Sequence, residues 1–343
     1  MSALEQPLVT FVVPCYNSAG YMSNAVDSLL EANHYCEILL INDGSSDDTS
    51  KIAHAYSDRF GNIRAVDQEN SNWGGAINTA LKLARGRYFK ILDSDDRMEP
   101  QALNRVLDAL AAAVRWGSGP DLLVTNYTYD HLNTETTRTM SYESFLPKDY
   151  PFGWDAAGKP GRAVYIMIHA MWFATDVLRE SGVQLPTGAP YMDSILLLHP
   201  LPYVKTLYYL DVAPYQYAIG REGQSVDVEV LRKHINEQIF VTKLAIDDTD
   251  YGALATSNPQ CAELMMGYVA CMMCVSMLNL FTINTPEAIE KNRELWEYLE
   301  KQSPKLYDYV SHSWVGRLNR KTAAGRFMAV RAYNAGKKFF KLA

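Results

Sequence analysis

The stretch Phe89-Lys90-Ile91-Leu92-Asp93-Ser94-Asp95-Asp96 decides the fold, because an apolar strand signal runs directly into three carboxylates. Alternate residues of an extended segment share one side, so Asp93 and Asp95 face the same way. Like charges this close repel each other unless a cation neutralises them. Mg²⁺ and Mn²⁺ favour carboxylate and phosphate oxygens. The stretch predicts a buried strand ending in a divalent-metal site; taken alone, it also fits a solvated acidic turn.

Strand and helix signals alternate through the first hundred residues. Predicted strands cover 8–13, 37–41, 62–67 and 88–92, and predicted helices cover 21–30, a segment from about 47, 75–84 and 100–116. This alternation predicts an α/β fold with a mainly parallel sheet flanked by helices. Ligands of such sheets bind beyond the carboxyl ends of the strands. Polar clusters stand at three of these ends: 14–17, 42–45 and 93–96.

The later chain changes character. Extended signals at 122–129, 134–142, 203–210 and 214–218 are followed by helical signals from 228 onward. Ser46 and Asp48 are the predicted caps of the second helix. Residues 263–287 carry no charge between their terminal glutamates, and polar residues dilute their second half. We therefore predict a buried helix there rather than a membrane span.

Composition fits an ordinary globular protein of 343 residues, with 48% apolar and 21% charged residues. The five cysteines are scattered and odd in number, which favours reduced, buried thiols and a cytoplasmic location. The first seven residues lack a basic segment and a long apolar segment, so we expect no signal peptide. Sequence repeats and low-complexity tracts are not apparent.

Charge is uneven along the chain. The net charge is −7, yet residues 309–343 hold eight lysines and arginines and no carboxylate side chain. A basic tail on an acidic body predicts contact with an anionic surface, of which a membrane is the first candidate. The alternative is a solvated last helix, or one that packs on the acidic body, because the apolar residues of the tail do not fall on one helical face.

Several motifs, in order, resemble the family 2 glycosyltransferases, which have the GT-A fold. The resemblance covers roughly residues 8 to 240. The matching segments are Pro14-Cys15-Tyr16-Asn17, Asn42-Asp43-Gly44-Ser45, Gln68-Glu69-Asn70, Gly74-Gly75, Asn78, Leu92 to Asp96, Tyr191-Met192-Asp193 and Gly220 to Val226. Each motif alone is common, whereas the ordered set is specific. The resemblance implies an inverting transfer of a sugar from a nucleotide-sugar donor.

The resemblance also implies roles for individual residues at the donor. It places Pro14 at the nucleotide site and implies that Tyr16 stacks on the nucleobase. Asp43 would accept the imide N–H of the base, which favours uracil, although a turn residue before Gly44 is an equal alternative. Asn70 would touch base or ribose. Asp93 would contact ribose or metal and Asp95 would be the main ligand of Mn²⁺ or Mg²⁺, with Asp96 as the neighbouring alternative.

Asp193 is the predicted general base. In the family an aspartate near the start of a helix, usually after a glutamate, removes the proton of the acceptor hydroxyl. Here Met192 stands in place of the glutamate. Partial burial raises the pKa of a carboxyl, which suits a general base. The alternative is a carboxylate that merely stabilises the helix N-terminus.

Two features of the resemblance are less direct. Arg221 would supply positive charge at the diphosphate from a closing loop, with a surface arginine as the equal alternative. Where many relatives have an arginine, near the start of the third helix, this chain has Ile77, so Arg221 or Lys90 would substitute for it. His169, Trp172, Trp154 and Tyr191 are candidates for an acceptor platform, though ordinary core packing is favoured for them.

These inferences predict two domains. Residues 1–225 would form the GT-A domain, with a nucleotide-sugar half of about 1–100 and an acceptor half of about 101–225, and 226–343 a helical region with the basic tail. The expected partners are a UDP-sugar and a glycan or lipid-linked acceptor, without nucleic acid. An inactive nucleotide-sugar binding module is the main alternative. A nucleotidyltransferase is disfavoured because 14–20 contains no Lys or Arg.

Overall fold

A computed structural model of the chain describes residues 6–131, 136–161, 164–189, 191–220, 233–320 and 322–340. The chain divides into two compact units. The first comprises Met1–Gly158 and Ile166–Gly220, and the second, called here the helical unit, comprises Lys159–Tyr165 and Arg221–Ala343. The predicted domain boundary at residue 225 falls within 221–232, outside the described residues, and stays a prediction.

A mixed sheet runs through the first unit. Its strands are β1 (Val9–Cys15), β2 (Glu37–Asp43), β3 (Ile63–Gln68), β4 (Tyr88–Ile91), β5 (Arg97–Met98), β6 (Leu122–His131), β7 (Thr136–Met140), β8 (Pro151–Phe152), β9 (Met171–Ala174) and β10 (Leu207–Ile219). They are ordered β3-β2-β1-β4-β9-β6-β10-β5, with β7 on β6 and β8 on β10. The part β3-β2-β1-β4 is parallel, as predicted, whereas β9 pairs antiparallel with both β4 and β6.

Helices of the first unit flank this sheet. They are α1 (Met22–Leu30), α2 (Thr49–Arg59), α3 (Asn72–Leu83), α4 (Pro100–Arg115), α5 (Thr175–Ser181) and α6 (Asp193–Leu198). The start of α4 shows the local logic: the Glu99 side chain accepts hydrogen bonds from the N–H groups of Gln101 and Ala102, and Pro100 follows where no N–H is needed. Apolar residues at helical spacing then bury one face of α4.

Two local predictions were wrong. Asp47, not Ser46 or Asp48, accepts the hydrogen bond from Thr49 N–H at the start of α2. The predicted strands 203–210 and 214–218 are one strand, β10, whose pairing with β6 shifts register between Leu210 and Tyr215. A proline normally ends a strand signal because it lacks an N–H, but Pro214 lies where the ladder is already irregular.

The helical unit consists of helices along its described part from residue 235. They are α7 (Ile235–Asp247), α8 (Tyr251–Ser257), α9 (Pro259–Ile283), α10 (Pro286–Gln302), α11 (Pro304–His312), α12 (Trp314–Leu318) and α13 (Ala323–Phe340). By length and composition α9 alone, among the described helices, is apolar enough to cross a membrane. However, 78% of its most apolar window is buried within the structure, which agrees with the predicted buried helix.

Candidate active site

The three predicted polar segments meet at one edge of the sheet. β1 lies between β2 and β4 and is parallel to both, so their carboxyl ends share that edge. Hydrogen bonds join the loops: Asn17 N–H donates to Ser45 Oγ (2.9 Å), and Ser46 N–H donates to Asn17 Oδ1 (2.9 Å). The hydroxyls of Ser18 and Ser94 lie 2.9 Å apart. The predicted clustering is therefore confirmed.

Two predicted donor-binding residues of the first loop differ in exposure. Pro14 lies inside β1, in register with Ile41 of β2, and is buried. Tyr16, two residues later, is 54% exposed. An exposed aromatic ring at a sheet edge offers a face on which a nucleobase can stack. Pro14 thus lies in the strand that positions this loop, and its own contact with a nucleotide stays a prediction.

Asp43 organises the loop that follows β3. Its Oδ1 accepts hydrogen bonds from Gln68 Nε2 (2.7 Å), Ser71 N–H (2.9 Å) and Ser71 Oγ (3.2 Å). Among the described residues, these bonds all go to Oδ1, so Oδ2 is left for another donor. The side chain is buried. Both readings of Asp43, turn residue and base acceptor, are compatible with this arrangement.

Gly44 shows why the second loop needs a glycine. Its φ is +70°, and a Cβ placed on it would lie 2.8 Å from the backbone nitrogen of Asn70. Side chains rarely adopt that conformation, and nothing but hydrogen fits the gap. The Asn70 amide in turn donates to the Asp43 carbonyl (3.0 Å). Asn70 is therefore held beside Asp43, as the predicted nucleotide site requires.

Asp93 is held from two directions at the end of β4. Its Oδ1 accepts a hydrogen bond from the Trp73 indole (3.0 Å), its N–H donates to Tyr215 Oη (3.2 Å), and Oδ2 lies 3.4 Å from that same hydroxyl. Burial raises the pKa of the Asp93 carboxyl, while the hydrogen bonds and Lys90 lower it less. A carboxylate held this way carries a charge that is only partly compensated.

Asp96 is committed to β10. Tyr215 Oη donates to Asp96 Oδ2 (2.5 Å), and the Ala218 N–H donates to Asp96 Oδ1 (2.8 Å). Burial, followed by the charge of Asp93, raises the pKa of Asp96 well above its ordinary value. Both oxygens of Asp96 therefore already accept hydrogen bonds from the protein. Asp95, which precedes Asp96 in the sequence, is partly exposed.

The donor set suits a divalent cation. One ligand atom each of Asp93, Asp96 and His169 lies within 4.8 Å of the others. The sequence predicted Asp93 and Asp95 and did not include His169 among metal ligands. The charge of Asp93 contributes to the raised pKa of Asp96, and a cation bound here would relieve that repulsion. Asp96 would have to give up its bond to Tyr215 in order to bind a metal, and the predicted ligand pair Asp93 and Asp95 stays a prediction.

His169, the third member of this cluster, is a buried ring packed against two tyrosines. It stacks on Tyr215 with 4.7 Å between ring centroids and lies 4.5 Å from the ring of Tyr217. Burial, together with the charge of Lys90, lowers its pKa to about 3. The imidazole is therefore neutral near pH 7 and adds no positive charge beside the aspartates. A neutral imidazole can accept a hydrogen bond as well as donate one.

Lys90 does not reach the donor site. It is fully buried, and its Nζ donates to the carbonyls of Ile168 (3.3 Å), His169 (2.5 Å) and Met171 (3.2 Å). Burial lowers its pKa well below the ordinary value, opposed by the charge of Asp93. The interpretation of Lys90 as a substitute cation for a phosphate is therefore wrong, because its ammonium is used to fix the segment before β9.

Asp193 begins α6, as predicted. Burial, followed by the charge of Asp93, raises its pKa to about 6, although the Ser194 N–H lowers it. The apolar residues Ile195 to Leu198 behind it are all buried. A helix N-terminus normally lowers the pKa of a carboxyl, so desolvation and the neighbouring charge win here. The arrangement gives a carboxylate suited to take up a proton near neutral pH.

The chain leading to Asp193 is fastened to α3. Asn78 Nδ2 donates to the Leu185 carbonyl (2.8 Å), and Leu185 N–H donates back to Asn78 Oδ1 (3.0 Å). A Cβ on Gly74 would lie 2.8 Å from the Pro186 carbonyl oxygen. Gly74 and Asn78, both quoted in the resemblance, therefore let this segment lie close to α3.

The remaining candidates are placed as follows. Arg221 lies outside the described residues, so its role stays a prediction. Trp172 is fully buried, and Trp154 is buried with its indole donating to the Val204 carbonyl (2.8 Å). Core packing, the favoured reading, agrees with the burial of both tryptophans and of His169, although His169 also belongs to the cluster with Asp93 and Asp96. Tyr191 is partly exposed with φ +66°.

Sequence reasoning missed Tyr215 and Trp73, which hold the aspartates. Tyr215 and Tyr217 alternate along an extended segment, and Trp73 follows a loop, but packing aromatics show the same patterns. Only the fold brings Tyr215 to residues more than one hundred positions earlier. No local signal in the sequence singles it out.

The fold and these residues give an α/β domain of the GT-A type, with carboxylates at one edge of its sheet. The model of the family described as glycosyl transferase family 2 matches residues 10–149. An uncharacterized glycosyltransferase of Mycoplasma pneumoniae is 38% identical over 29% of this chain and 35% of its own length. Chondroitin synthase of Escherichia coli is 39% identical over 30% of this chain and 15% of its own length.

Solved structures agree on the fold over a longer range. Staphylococcus aureus TarS 1–349, crystallised with UDP-GlcNAc, superposes with a TM-score of 0.68 at 16% identity, covering 96% of this chain and 92% of TarS 1–349. The chain spans about a third of the length of the M. pneumoniae relative. The similarity to glycosyl transferase family 2 covers residues 10–149 of the 343-residue chain.

Proposed function

We propose that the chain is an inverting glycosyltransferase that moves a sugar from a UDP-sugar to a hydroxyl of a glycan or lipid-linked acceptor. The observation that carries the proposal is Asp193, whose carboxyl has a pKa of about 6 and feels the charge of Asp93. A proton acceptor tuned near neutrality beside a metal-type carboxylate is what sugar transfer without a covalent intermediate requires.

The donor would lie across the joined loops. Tyr16 would stack on the base, Asp43 Oδ2 would accept the uracil imide, and Asn70 would contact the base or ribose. Arg221 would add positive charge at the diphosphate. TarS 1–349 was crystallised with UDP-GlcNAc and with UDP, which supports a uridine donor for a chain of the same fold.

Asp93 and Asp95 would hold Mn²⁺ or Mg²⁺. Bound there, the ion would neutralise negative charge that develops on the UDP leaving group. The raised pKa of Asp96 supports a cation at this edge of the sheet, because the charge of Asp93 contributes to that rise and a cation would relieve it.

Asp193 would act on the acceptor. Its carboxylate would take the proton of the acceptor hydroxyl while the oxygen forms a bond to the anomeric carbon. The bond from that carbon to the diphosphate oxygen breaks, and its electron pair leaves with UDP. With one base, and no covalent nucleophile identified among the described residues, attack from the face opposite the leaving group would invert the anomeric centre.

The proposal extends to the cellular location of the protein and to the class of its product. We place the protein in the cytoplasm, at the inner face of the membrane, in the synthesis of cell-surface polysaccharide. Phe327 and Met328 of α13 are 60% and 64% exposed, and the Arg331 guanidinium lies 5.6 Å from the Phe327 ring centroid. Exposed apolar side chains among cations suit an anionic lipid surface.

Calorimetric titration with UDP, with and without Mn²⁺, tests the donor site. We expect Mn²⁺ to strengthen UDP binding by the wild type, and Asp95→Asn to lose that gain because one metal ligand is removed. Asp58→Asn, an exposed aspartate of α2, is the matched control and should keep it. Equal Mn²⁺-dependent binding by wild type and Asp95→Asn would contradict the proposed metal site. NMR of the product tests inversion: an α-linked product from an α-linked donor would contradict it.

A further inference from the structure

The helical unit contains a cavity outside the site described above. Its volume is about 430 Å³, within the range of about 300–1,000 Å³ typical of small-molecule sites. It lies among α9, α11, α12 and residues Pro160, Gly161 and Val164. The residues that matter for its chemistry are Glu263, Gly267, Asp308, Tyr309, Trp314 and Arg317.

A glycine in the middle of a long helix opens this cavity. Gly267 lies in the interior of α9, where glycine is the least favourable residue except proline. A Cβ on Gly267 would lie 3.5 Å from Tyr309 Oη, at ordinary contact distance. An alanine therefore fits, whereas a longer side chain would have to enter the space between α9 and α11.

Aromatic and hydrogen-bonding groups line the same space. Tyr309 and Trp314 are partly buried, so each offers part of a ring to the cavity. Burial, followed by the charge of Glu263, raises the pKa of Tyr309, which keeps its hydroxyl neutral and able to donate. Ring faces combined with planar polar groups suit a ligand that has both C–H faces and hydroxyls.

Charge in the cavity is balanced. Glu263 is paired with Lys159 (3.2 Å), and Asp308 lies 3.2 Å from the His312 ring. Arg317 also lines the space. Because carboxylates and cations offset one another, the cavity favours neither a phosphate nor a polycation. Hydrogen-bond donors and acceptors without net charge favour an uncharged polyhydroxyl ligand.

We propose that this cavity binds an uncharged sugar unit, one that belongs to the acceptor glycan and lies away from the sugar being extended. The assignment to the acceptor rests on the proposed function, whereas sugar binding by the cavity does not. Binding a second sugar of the same chain raises the effective concentration of acceptor ends.

The test is fluorine NMR on the full chain labelled with 5-fluorotryptophan. The Trp314 resonance is assigned by its loss in Trp314→Phe. The probes are the N-acetylglucosamine disaccharide and maltose, with inorganic phosphate as the charged comparison. We expect the Trp314 resonance to shift saturably with at least one disaccharide and not with phosphate. Absence of a shift with both disaccharides, or a shift with phosphate only, would overturn the proposal.

Two variants at one position sharpen the test. Gly267→Leu should fill the cavity and weaken disaccharide binding at least tenfold, whereas Gly267→Ala should retain it. If Gly267→Leu unfolds on heating far earlier than the wild type, Tyr309→Phe replaces it, and removal of the hydroxyl should weaken binding severalfold. Unchanged binding in the folded variant contradicts the proposal.

UDP binding measured on the same samples separates the two proposals. If disaccharides leave Trp314 unmoved while UDP and Mn²⁺ still bind, the cavity proposal fails and the donor site stands. If Trp314 responds to a disaccharide but UDP does not bind, the proposed transfer fails and the sugar site stands.

Discussion

Acidic side chains on α10 and at the sheet edge lie in opposite electrostatic surroundings. On α10, Glu287 contacts Lys291 (2.8 Å), and Glu290 contacts Arg293, each about one turn away. These contacts lower the pKa of both glutamates. At the sheet edge, burial raises the pKa of Asp93 and of Asp193.

The comparison separates acids that belong to the surface from acids that serve a site. Exposed pairs like those of α10 contribute little to stability, and their loss is tolerated. Buried carboxylates with raised pKa values destabilise the folded protein at neutral pH, and such groups cluster at functional sites. The sheet edge is therefore the region where removal of a charge should change chemistry most.

The largest effect is expected from Asp193→Asn. Loss of the proton acceptor should lower kcat for sugar transfer by about 10² to 10⁴, while UDP binding is kept. Release of UDP in the presence of acceptor measures the rate. Asp176→Asn is the matched control, because Asp176 is also a first-turn carboxylate, on α5, but fully solvated. If the two variants transfer sugar equally well, Asp193 is only a helix-terminal carboxylate.

A pH profile should show the raised pKa of Asp193 directly. Transfer needs the ionised carboxylate, so kcat/KM should be level above pH 7 and fall about tenfold per pH unit below about 6. An inflection near 4 would contradict the burial argument.

The raised pKa of Asp193 also predicts that its ionised carboxylate destabilises the folded protein. The pKa of Asp193 in the folded protein, about 6, exceeds its ordinary value of 3.8, so the folded state holds more protons between these values. The contribution of Asp193 to stability therefore falls as pH rises through this window. Asp193→Asn should raise the free energy of unfolding by about 2 kcal/mol at pH 8 and by less at pH 5, as measured by urea unfolding.

A smaller effect is expected from Tyr215→Phe. Asp96 Oδ2 would lose its hydroxyl donor inside the protein, which costs about 1–3 kcal/mol of stability. UDP binding with Mn²⁺ should weaken severalfold because Asp93 loses the Tyr215 hydroxyl that contacts its N–H and Oδ2. Tyr217→Phe is the control, since within the described part of the chain the Tyr217 hydroxyl makes no hydrogen bond to Asp93 or Asp96. Identical UDP binding by Tyr215→Phe and wild type would show that Tyr215 only supports the fold.

The smallest effect is expected on α10. Glu290→Gln removes one partner of Arg293, which also contacts Glu297 (2.6 Å). The melting temperature should change by no more than about 1 °C, and transfer should not change. A larger fall in melting temperature would show that the surface ion pairs of α10 contribute more to stability than we expect.

The sequence was sufficient to predict the parallel part of the sheet and the edge at which the polar segments meet. β1 and β2 are apolar runs followed by polar residues, so strand, end and face follow from local pattern. Asp93, Asp95 and Asp193 were predicted from motifs, and the structure brings Asp93 and Asp193 close enough for their charges to interact.

The rest depends on contacts between distant residues. Asp96 looks like its neighbours in sequence, and only Tyr215 of β10, 119 residues later, distinguishes it. Lys90 is a strand residue whose ammonium group donates hydrogen bonds to carbonyls at the start of β9. The topology places β9 beside β4. Pro214 suggested a break in what is one strand. Local pattern cannot convey such long-range partners.

The hydrogen bonds that join Asn17 to Ser45 and Ser46, and Ser18 to Ser94, have a kinetic and thermodynamic consequence. These loops are already fixed to one another before any nucleotide arrives, so little backbone freedom is left to lose on binding. Donor recognition should then proceed by docking onto a rigid ledge. Variation in affinity among sugar nucleotides should appear mainly in how fast they leave.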